Sequence, residues 1–401
     1  MSKPWPDSNG SRALLLAPEA PYPLAGGGAL RSASMLEFLA QRYALDVIVF
    51  RQPGQAAPAF PEGRVREALV IDLPHHGRGA LARAARNVSR MARRAPPLVD
   101  RFVGFGERIG AFVDGREYAL AVIEHFWCAP YVDQISPRAR RTVLNLHNIE
   151  SVWHQRLAQT SRGARAMGHR VFQAASEELE RQWLPRFSVL LAPSAEDAGR
   201  AARIAPSAPV VVYPNAIPRV ERPAAVERDA IAFSATFDYA PNQEGVRWFH
   251  RQVWPILRER RPGLVWRLIG RNPGAVRREI DGDPRIECTG PVESALDHLA
   301  AAKVVVAPLL TGSGTRLKII EAWAAARAVV STAIGAEGLP ARDRENIMIE
   351  DHPSQFADAV SRLLDSPVER ERLGNAGRSI YERELTWDSA WRTIEAELGG
   401  F

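Results

Sequence analysis

The segment from Val304 to Ala322 constrains the fold more than any other stretch of this sequence. Val304-Val305-Val306-Ala307 is a β-branched run of the kind found in buried strands. Thr311-Gly312-Ser313-Gly314-Thr315 supplies a flexible turn, and an apolar helical pattern follows. A strand that feeds a helix through such a turn is the unit of a parallel α/β sheet. The helix opens with two cations, Arg316 and Lys318, and Glu321 lies one turn beyond Lys318 on the same face. A helix N-terminus offers unpaired N–H groups and the positive end of a dipole, so the segment suits a phosphate or diphosphate. Glu321 is placed to accept hydrogen bonds from sugar hydroxyls. It is not a P-loop: Gly314 is followed by Thr315-Arg316, and the lysine comes too late. The alternative is an ordinary strand–turn–helix whose cations are merely solvated.

The rest of the chain repeats the alternation. Strands are expected at 13–17, 46–50, 69–73, 119–123, 142–146 and 189–192, and again at 231–234, 265–269, 286–288, 304–307 and 328–331. The last strand runs into a second glycine turn at Gly335. A helix is expected at 30–43, after a Gly26–Gly28 loop, and three more at 353–364, 369–381 and 386–398. Tyr213-Pro214-Asn215-Ala216-Ile217-Pro218 and the Pro/Ala/Arg-rich stretch beyond it read as a linker. Two doubly wound α/β halves follow, with ligands at the carboxyl ends of the strands. At 401 residues the chain can bury two cores.

Composition narrows the context. Hydrophobic residues make up 46% and charged residues 24%, as in ordinary soluble proteins. Cys128 and Cys288 are too few and too far apart for a disulfide framework or a metal spacing, which suits a cytoplasmic setting. The start, Met1-Ser2-Lys3-Pro4-Trp5, lacks the form of a signal peptide, and no apolar run is long enough to span a bilayer. The net charge of +6 is concentrated between Arg78 and Arg101, where Arg83, Arg86, Arg90, Arg93 and Arg94 also stand. This run reads either as an amphipathic element drawn to an anionic membrane surface or as a solvated helix on an ordinary core. Nucleic acid is disfavoured, because no aromatic residues interleave with the arginines and no helix-turn-helix or zinc signature accompanies them.

Several further pieces stand in a fixed order. Gly26-Gly27-Gly28 follows the first strand, Ile123-Glu124-His125 ends a later one, and Leu144-Asn145-Leu146-His147-Asn148 follows in turn. Val212-Tyr213-Pro214-Asn215 lies at the crossing between the halves. Phe233-Ser234-Ala235-Thr236-Phe237 and Leu268-Ile269-Gly270-Arg271 precede the Gly312–Glu321 loop. Together these resemble retaining family 4 glycosyltransferases of the GT-B fold, over nearly the whole chain. The resemblance implies two Rossmann-like domains facing a central cleft: an acceptor-side domain over 1–213, a nucleotide-sugar-binding domain over 214–385, and a final helix within 386–401 that crosses back to the first. It implies that Arg316 and Lys318 act on the diphosphate and His125 near the reacting sugar carbon. Gly27, Gly28, Gly270, Arg271, Gly312, Ser313, Gly314, Thr315 and Glu321 would line the donor site, with His147 and Asn148 on the acceptor side. The sequence departs from the family at two places. Ser313 stands where many members have a first glutamate, and Ser234-Ala235-Thr236 stands where many have a Gly-Arg, so Arg316 and Lys318 would replace the missing cations.

The expected activity is retaining transfer of a sugar from a nucleotide diphosphate to a glycan or lipid-linked acceptor in cell-surface polysaccharide synthesis. The enzyme would work in the cytoplasm, free or peripherally bound to the inner face of the plasma membrane. Neither a metal nor another cofactor is expected. Asp281-Gly282-Asp283-Pro284 could be taken for a metal-binding Asp-x-Asp, but Asp-Gly-Asp-Pro is turn chemistry. Dinucleotide redox chemistry is disfavoured too, since Arg31 occupies the third fingerprint glycine position after Gly26 and Gly28. No Gly-x-Ser-x-Gly is present. Two rivals remain: a nucleotide-sugar epimerase of similar fold, and a nucleotide-sugar-binding protein without turnover.

Overall fold

Runs rich in Val, Ile and Leu that are apolar on both faces can be satisfied only inside a sheet covered by helices on both sides. The chain forms two such sheets. The structure, a computed structural model, describes residues 11–24, 26–75, 79–280, 282–312 and 316–398. Contacts divide the chain into two units, 1–214 with 391–401, and 215–390.

The first unit holds β1 (Arg12–Ala17), β2 (Ala44–Arg51), β3 (Glu67–Asp72), β4 (Tyr118–Glu124), β5 (Ala139–Asn145), β6 (Val189–Ala192) and β7 (Val210–Val212). They form a parallel sheet in the order β3-β2-β1-β4-β5-β6-β7. The second unit holds β8 (Arg228–Ser234), β9 (Val265–Ile269), β10 (Ile286–Gly290), β11 (Ala302–Ala307), β12 (Ala328–Ser331) and β13 (Met348–Ile349). Their order is β10-β9-β8-β11-β12-β13, again parallel. In each sheet the winding reverses once, between β1 and β4 and between β8 and β11. A crevice opens at the carboxyl ends of the strands on either side of such a reversal. Gly26, His125, Ala235 and the Gly312 loop follow these four strand ends, whereas His147 follows β5, Gly270 follows β9 and Gly335 follows β12.

Each unit has its own core. Leu14, Leu16, Ile48, Phe50 and Ile123 belong to the first, and Ile231, Phe233, Trp254, Trp266 and Val306 to the second. The expected loop at Gly26–Gly28 is corrected. Only Gly26, with φ +103°, stays outside, and the helix Gly27–Ala40 starts at Gly27. Glycine is a poor helix former, so its triplet reads locally as a break. Here a Cβ on Gly28 would stand 2.8 Å from Glu19 Oε1. The small residue permits that approach.

The last helix, Trp387–Leu398, straddles the division at Trp391. Trp387 Nε1 donates to the Ala216 carbonyl oxygen at 3.2 Å within the second unit. In the first unit, Trp391 Nε1 donates to Ser34 Oγ at 3.0 Å and the indole packs on Phe38. Tyr43 Oη and Arg141 Nη1 donate to the carbonyl oxygens of Leu398 and Glu397 at 2.8 and 2.9 Å.

Candidate functional site

In the second unit, the loops leaving β8 and β11 bring together residues far apart in sequence. The helix Leu317–Ala324 begins just after Arg316, which makes no side-chain cap to it, so the helix dipole and two cations add a positive field at one place. Lys318 Nζ donates to Asn242 Oδ1 at 2.9 Å and lies 5.0 Å from the centre of the Phe233 ring. Burial pulls the Lys318 pKa down to about 7; neighbouring Arg316 acts in the same direction and Glu321 opposes. Glu321 accepts a hydrogen bond from Ser234 Oγ at 3.1 Å. Burial raises its pKa, against that bond and the Lys318 charge.

Arg316 is buried, and its Nε and Nη2 both donate to the Ile334 carbonyl oxygen at 3.3 Å. A Cβ on Gly312, whose φ is +122°, would stand 3.2 Å from Arg316 Nη1. The guanidinium therefore lies against the glycine loop. Ser313, Gly314 and Thr315 lie outside the described residues. Lys318 reaches the end of β8, where the sequence lacks the family's Gly-Arg. The helix Ala240–Trp248 closes the arrangement: Asn242 holds Lys318, and Glu244 Oε2 accepts from Thr311 Oγ1 at 2.6 Å. The chain leaves β11 so near this helix that a Cβ on Gly245 would stand 2.7 Å from Pro308 O.

In the first unit, His125 follows β4 with φ +65°, a backbone conformation that costs a residue with a side chain of order 1–3 kcal/mol. Its ring is sandwiched between Trp127 and His147, at 4.1 and 3.4 Å between centroids. Nδ1 is buried without a hydrogen-bond partner among the described residues. Nε2 lies 3.6 Å from where a Cβ on Gly28 would be. Burial, together with the neighbouring His147, keeps the pKa of His125 well below the usual imidazole value. The ring is therefore neutral at pH 7.

Beneath the stack lies a buried polar network. His147 Nε2 donates to Glu124 Oε2 at 2.6 Å, and Asn145 Nδ2 to Glu124 Oε1 at 2.9 Å. Arg31 Nη2 and Nε both donate to Asn145 Oδ1, at 2.6 and 3.0 Å, and its Nη1 donates to the Tyr213 carbonyl oxygen at 2.7 Å. Burial raises the Glu124 pKa, while Asn145 and Arg31 oppose that rise. His147 is lowered well below 6.5, first by burial and then by Arg31. The tautomer follows from the network: Glu124 accepts, so Nε2 carries the hydrogen.

Of the remaining sequence-derived candidates, Gly27 and Gly28 form the uncapped first turn beside His125. Asn148 lies beside Glu150 and opposes the rise to about 7 that burial imposes on the Glu150 pKa. Gly270 has φ +132°, and a Cβ there would stand 2.1 Å from Ala235 O, so its glycine is explained by the close packing of two loops. Arg271 is exposed, and its carbonyl oxygen accepts from Phe237 N at 2.9 Å. Asp281 lies outside the described residues, as does Arg78 at the start of the arginine run. Asp283 takes bonds from Arg285 Nε at 3.1 Å, Arg285 Nη2 at 3.2 Å and Trp254 Nε1 at 2.9 Å. Burial would raise its pKa, but these partners outweigh it and bring the value down to about 2.

Sequence reasoning singled out neither Asn242 and Glu244 nor the Glu124–Asn145 pair. The last was signalled by two adjacent strands that each end in a polar residue followed at once, or two places on, by histidine. Strand pairing sets Glu124 opposite Asn145.

Comparison with known proteins agrees with this architecture. The structure of sucrose-phosphate synthase from Thermosynechococcus elongatus superposes with a TM-score of 0.70 at 17% identity, over 96% of this chain and 98% of that one. Anabaena Alr3699/HepE, solved with UDP and glucose, gives a TM-score of 0.64 at 12% identity, over 98% of this chain and 100% of that one. By sequence, a stretch of 160 residues is 31% identical to D-inositol 3-phosphate glycosyltransferase from Thermomonospora curvata, covering 36% of each chain. The chain spans about a third of the length of the curated relatives it matches. The fold is that of the GT-B glycosyltransferases, and residues 228–366, which carry Lys318, Glu321, Ser234 and Asn242, match the family described as Glycosyl transferases group 1.

Proposed function

We propose that the chain is a retaining, metal-independent glycosyltransferase that takes its sugar from a nucleotide-diphosphate donor. The observation that carries the reading is the Arg316–Lys318–Glu321 constellation, with Arg316 buried and the other two half-buried, at the winding reversal of the second sheet and inside the segment that matches the glycosyltransferase family. Breaking a glycosidic bond to a diphosphate leaves negative charge on the leaving group, and preformed cations with a helix end stabilise it without reorganisation. Arg316 and Lys318 hold the diphosphate, and Glu321 binds hydroxyls of the ribose. Lys318, with a pKa near 7 when unliganded, takes up a proton as the anion arrives. The saturated Asp283 supports metal independence, because its oxygens are already committed to Arg285 and Trp254.

The first unit supplies the acceptor side. Its neutral His125, held by the ring stack and a strained backbone, contacts the donor sugar near the reacting carbon, with His147 and Asn148 toward the acceptor. The acceptor is a glycan or lipid-linked saccharide of cell-surface polysaccharide synthesis, and the reaction takes place in the cytoplasm, at or near the membrane. No helix among the described residues is long and apolar enough to cross a membrane.

The test is a thermal-shift screen of nucleotide sugars on the full chain, followed by nucleoside diphosphate release with the donor that binds. A ligand that binds the folded state raises the midpoint. At least one donor should do so, and the shift should vanish in Lys318→Ala. Failure of every nucleotide sugar and nucleoside diphosphate to stabilise the protein would refute the reading. Retention is read from the anomeric coupling of the product by NMR.

A further inference from the structure

The first unit contains a cavity of about 380 Å³ whose walls include Arg86, Arg90, Arg101, Glu19, Gln52 and Trp127. Arg86 and Arg90 lie four residues apart on the helix Ala80–Ala92 and so share a face. Arg101 comes from the short helix Pro97–Phe102. We propose that this cavity binds a phosphate-type oxyanion carried by the acceptor.

The charges around it are unbalanced. Arg90 Nε donates to Asp100 Oδ2 at 2.8 Å, but Arg93 claims the other oxygen at 3.0 Å. Arg101 is held by neutral groups, Gln52 Oε1 at 2.7 Å and the Pro74 carbonyl oxygen at 3.1 Å. Arg86 has no side-chain hydrogen bond or ion pair among the described residues. Glu19 is the one carboxylate among the described residues of the wall, against three arginines. The surplus registers on Arg101, whose pKa is lowered first by burial and then by Arg90 and Arg86. The Arg101 guanidinium, prearranged on neutral carbonyls, and Arg86 beside it leave uncompensated charge of the kind that binds a phosphate.

Location connects the cavity to transfer. Trp127 forms part of its wall and stacks on His125 with 11° between ring planes. An acceptor anchored here by its anion would lie one indole away from the residue assigned to the reacting carbon. The inference rests on the first unit being the acceptor side. The same helix carries exposed Leu81 and Val88. The phosphate could therefore belong to a soluble sugar phosphate or to a lipid.

The full chain, without nucleotide, is titrated by calorimetry with a hexose 6-phosphate and with the uncharged hexose. In parallel, vesicles of phosphatidylglycerol and of phosphatidylcholine are used in flotation. Arg86→Gln and Arg101→Gln should each weaken the anionic probe at least tenfold, while Lys318→Ala leaves it unchanged. Arg86 is only partly buried and unpaired, so its replacement keeps the fold. Binding of the hexose phosphate identifies a soluble source. Arginine-dependent binding of phosphatidylglycerol vesicles alone identifies a lipid source. Absence of binding by both probes overturns the proposal, and so does wild-type affinity in both arginine variants or loss of binding in Lys318→Ala. These titrations need no donor, so loss of the transfer reading and loss of the anion site are separately visible.

Discussion

Lys318 shows how one side chain can be legible in position and illegible in state. The sequence places it in the first turn of a helix after a glycine loop, the position from which an anion site is proposed. Only the packing of Phe233, Asn242 and Arg316 around it brings its pKa down to about 7. Between that value and the usual 10.5 the unfolded chain binds one proton more than the folded one, so the Lys318 contribution to unliganded stability rises with pH across this window. A diphosphate bound beside the ammonium, as proposed, would reverse the preference. Calorimetry of nucleoside diphosphate binding at pH 8 in buffers of different ionisation enthalpy should show uptake of close to one proton, absent in Lys318→Ala. Zero uptake in the wild type would contradict the assignment. A charge-assisted hydrogen bond contributes about 1.5–3 kcal/mol, so Lys318→Ala should also weaken that affinity by roughly tenfold or more. Gly270 belongs at the same scale, although its role is packing. An alanine side chain at this position would combine a positive φ with a backbone collision, so Gly270→Ala should cost about 2 kcal/mol or more in thermal unfolding. An unchanged midpoint would show that the β8 and β9 loops can separate without penalty.

At the level of elements, long apolar runs were readable because a parallel strand covered on both faces leaves little choice of residue. β7 and β13 escaped, being three and two residues long and carrying no period to detect. The helix start at Gly27 escaped because local propensity opposes it and only the approach of Glu19 explains it. The Glu124–His147 network left only a faint signal, two polar strand ends each followed closely by a histidine, because the contact itself depends on which strands are neighbours. The last helix was readable as an element, but the partners of its two tryptophans were not: Trp391 anchors in the first unit and Trp387 to Ala216 in the second. Removal of 391–401 deletes the Trp391, Glu397 and Leu398 contacts. It should therefore lower the thermal midpoint and speed proteolytic cleavage within 1–214 rather than within 215–390. Cleavage confined to the second unit would contradict this, as would an unchanged midpoint.

At the level of the whole molecule, metal dependence divides the possible chemistries sharply. A transferase that relied on an Asp-x-Asp would need both carboxylates free to bind a cation. Asp283 is instead the hub of a turn, accepting from Arg285 and Trp254, and its pKa is held down to about 2 by those partners. Asp283→Asn should lower stability by about 1–2 kcal/mol, because the bonds it loses are charge-assisted, while leaving the rate of nucleoside diphosphate release within about twofold. Release should also persist in EDTA. The same assay, run with donor alone, separates the rival of similar fold. An epimerase converts the nucleotide sugar without an acceptor, whereas a transferase leaves it intact apart from slow hydrolysis. A binding protein without turnover would release nothing even with acceptor present. If transfer ceased in chelator and returned with manganese, the diphosphate would need a partner beyond Arg316 and Lys318. The charge that these two residues place at the helix end would then have to be assigned to binding rather than to departure of the leaving group.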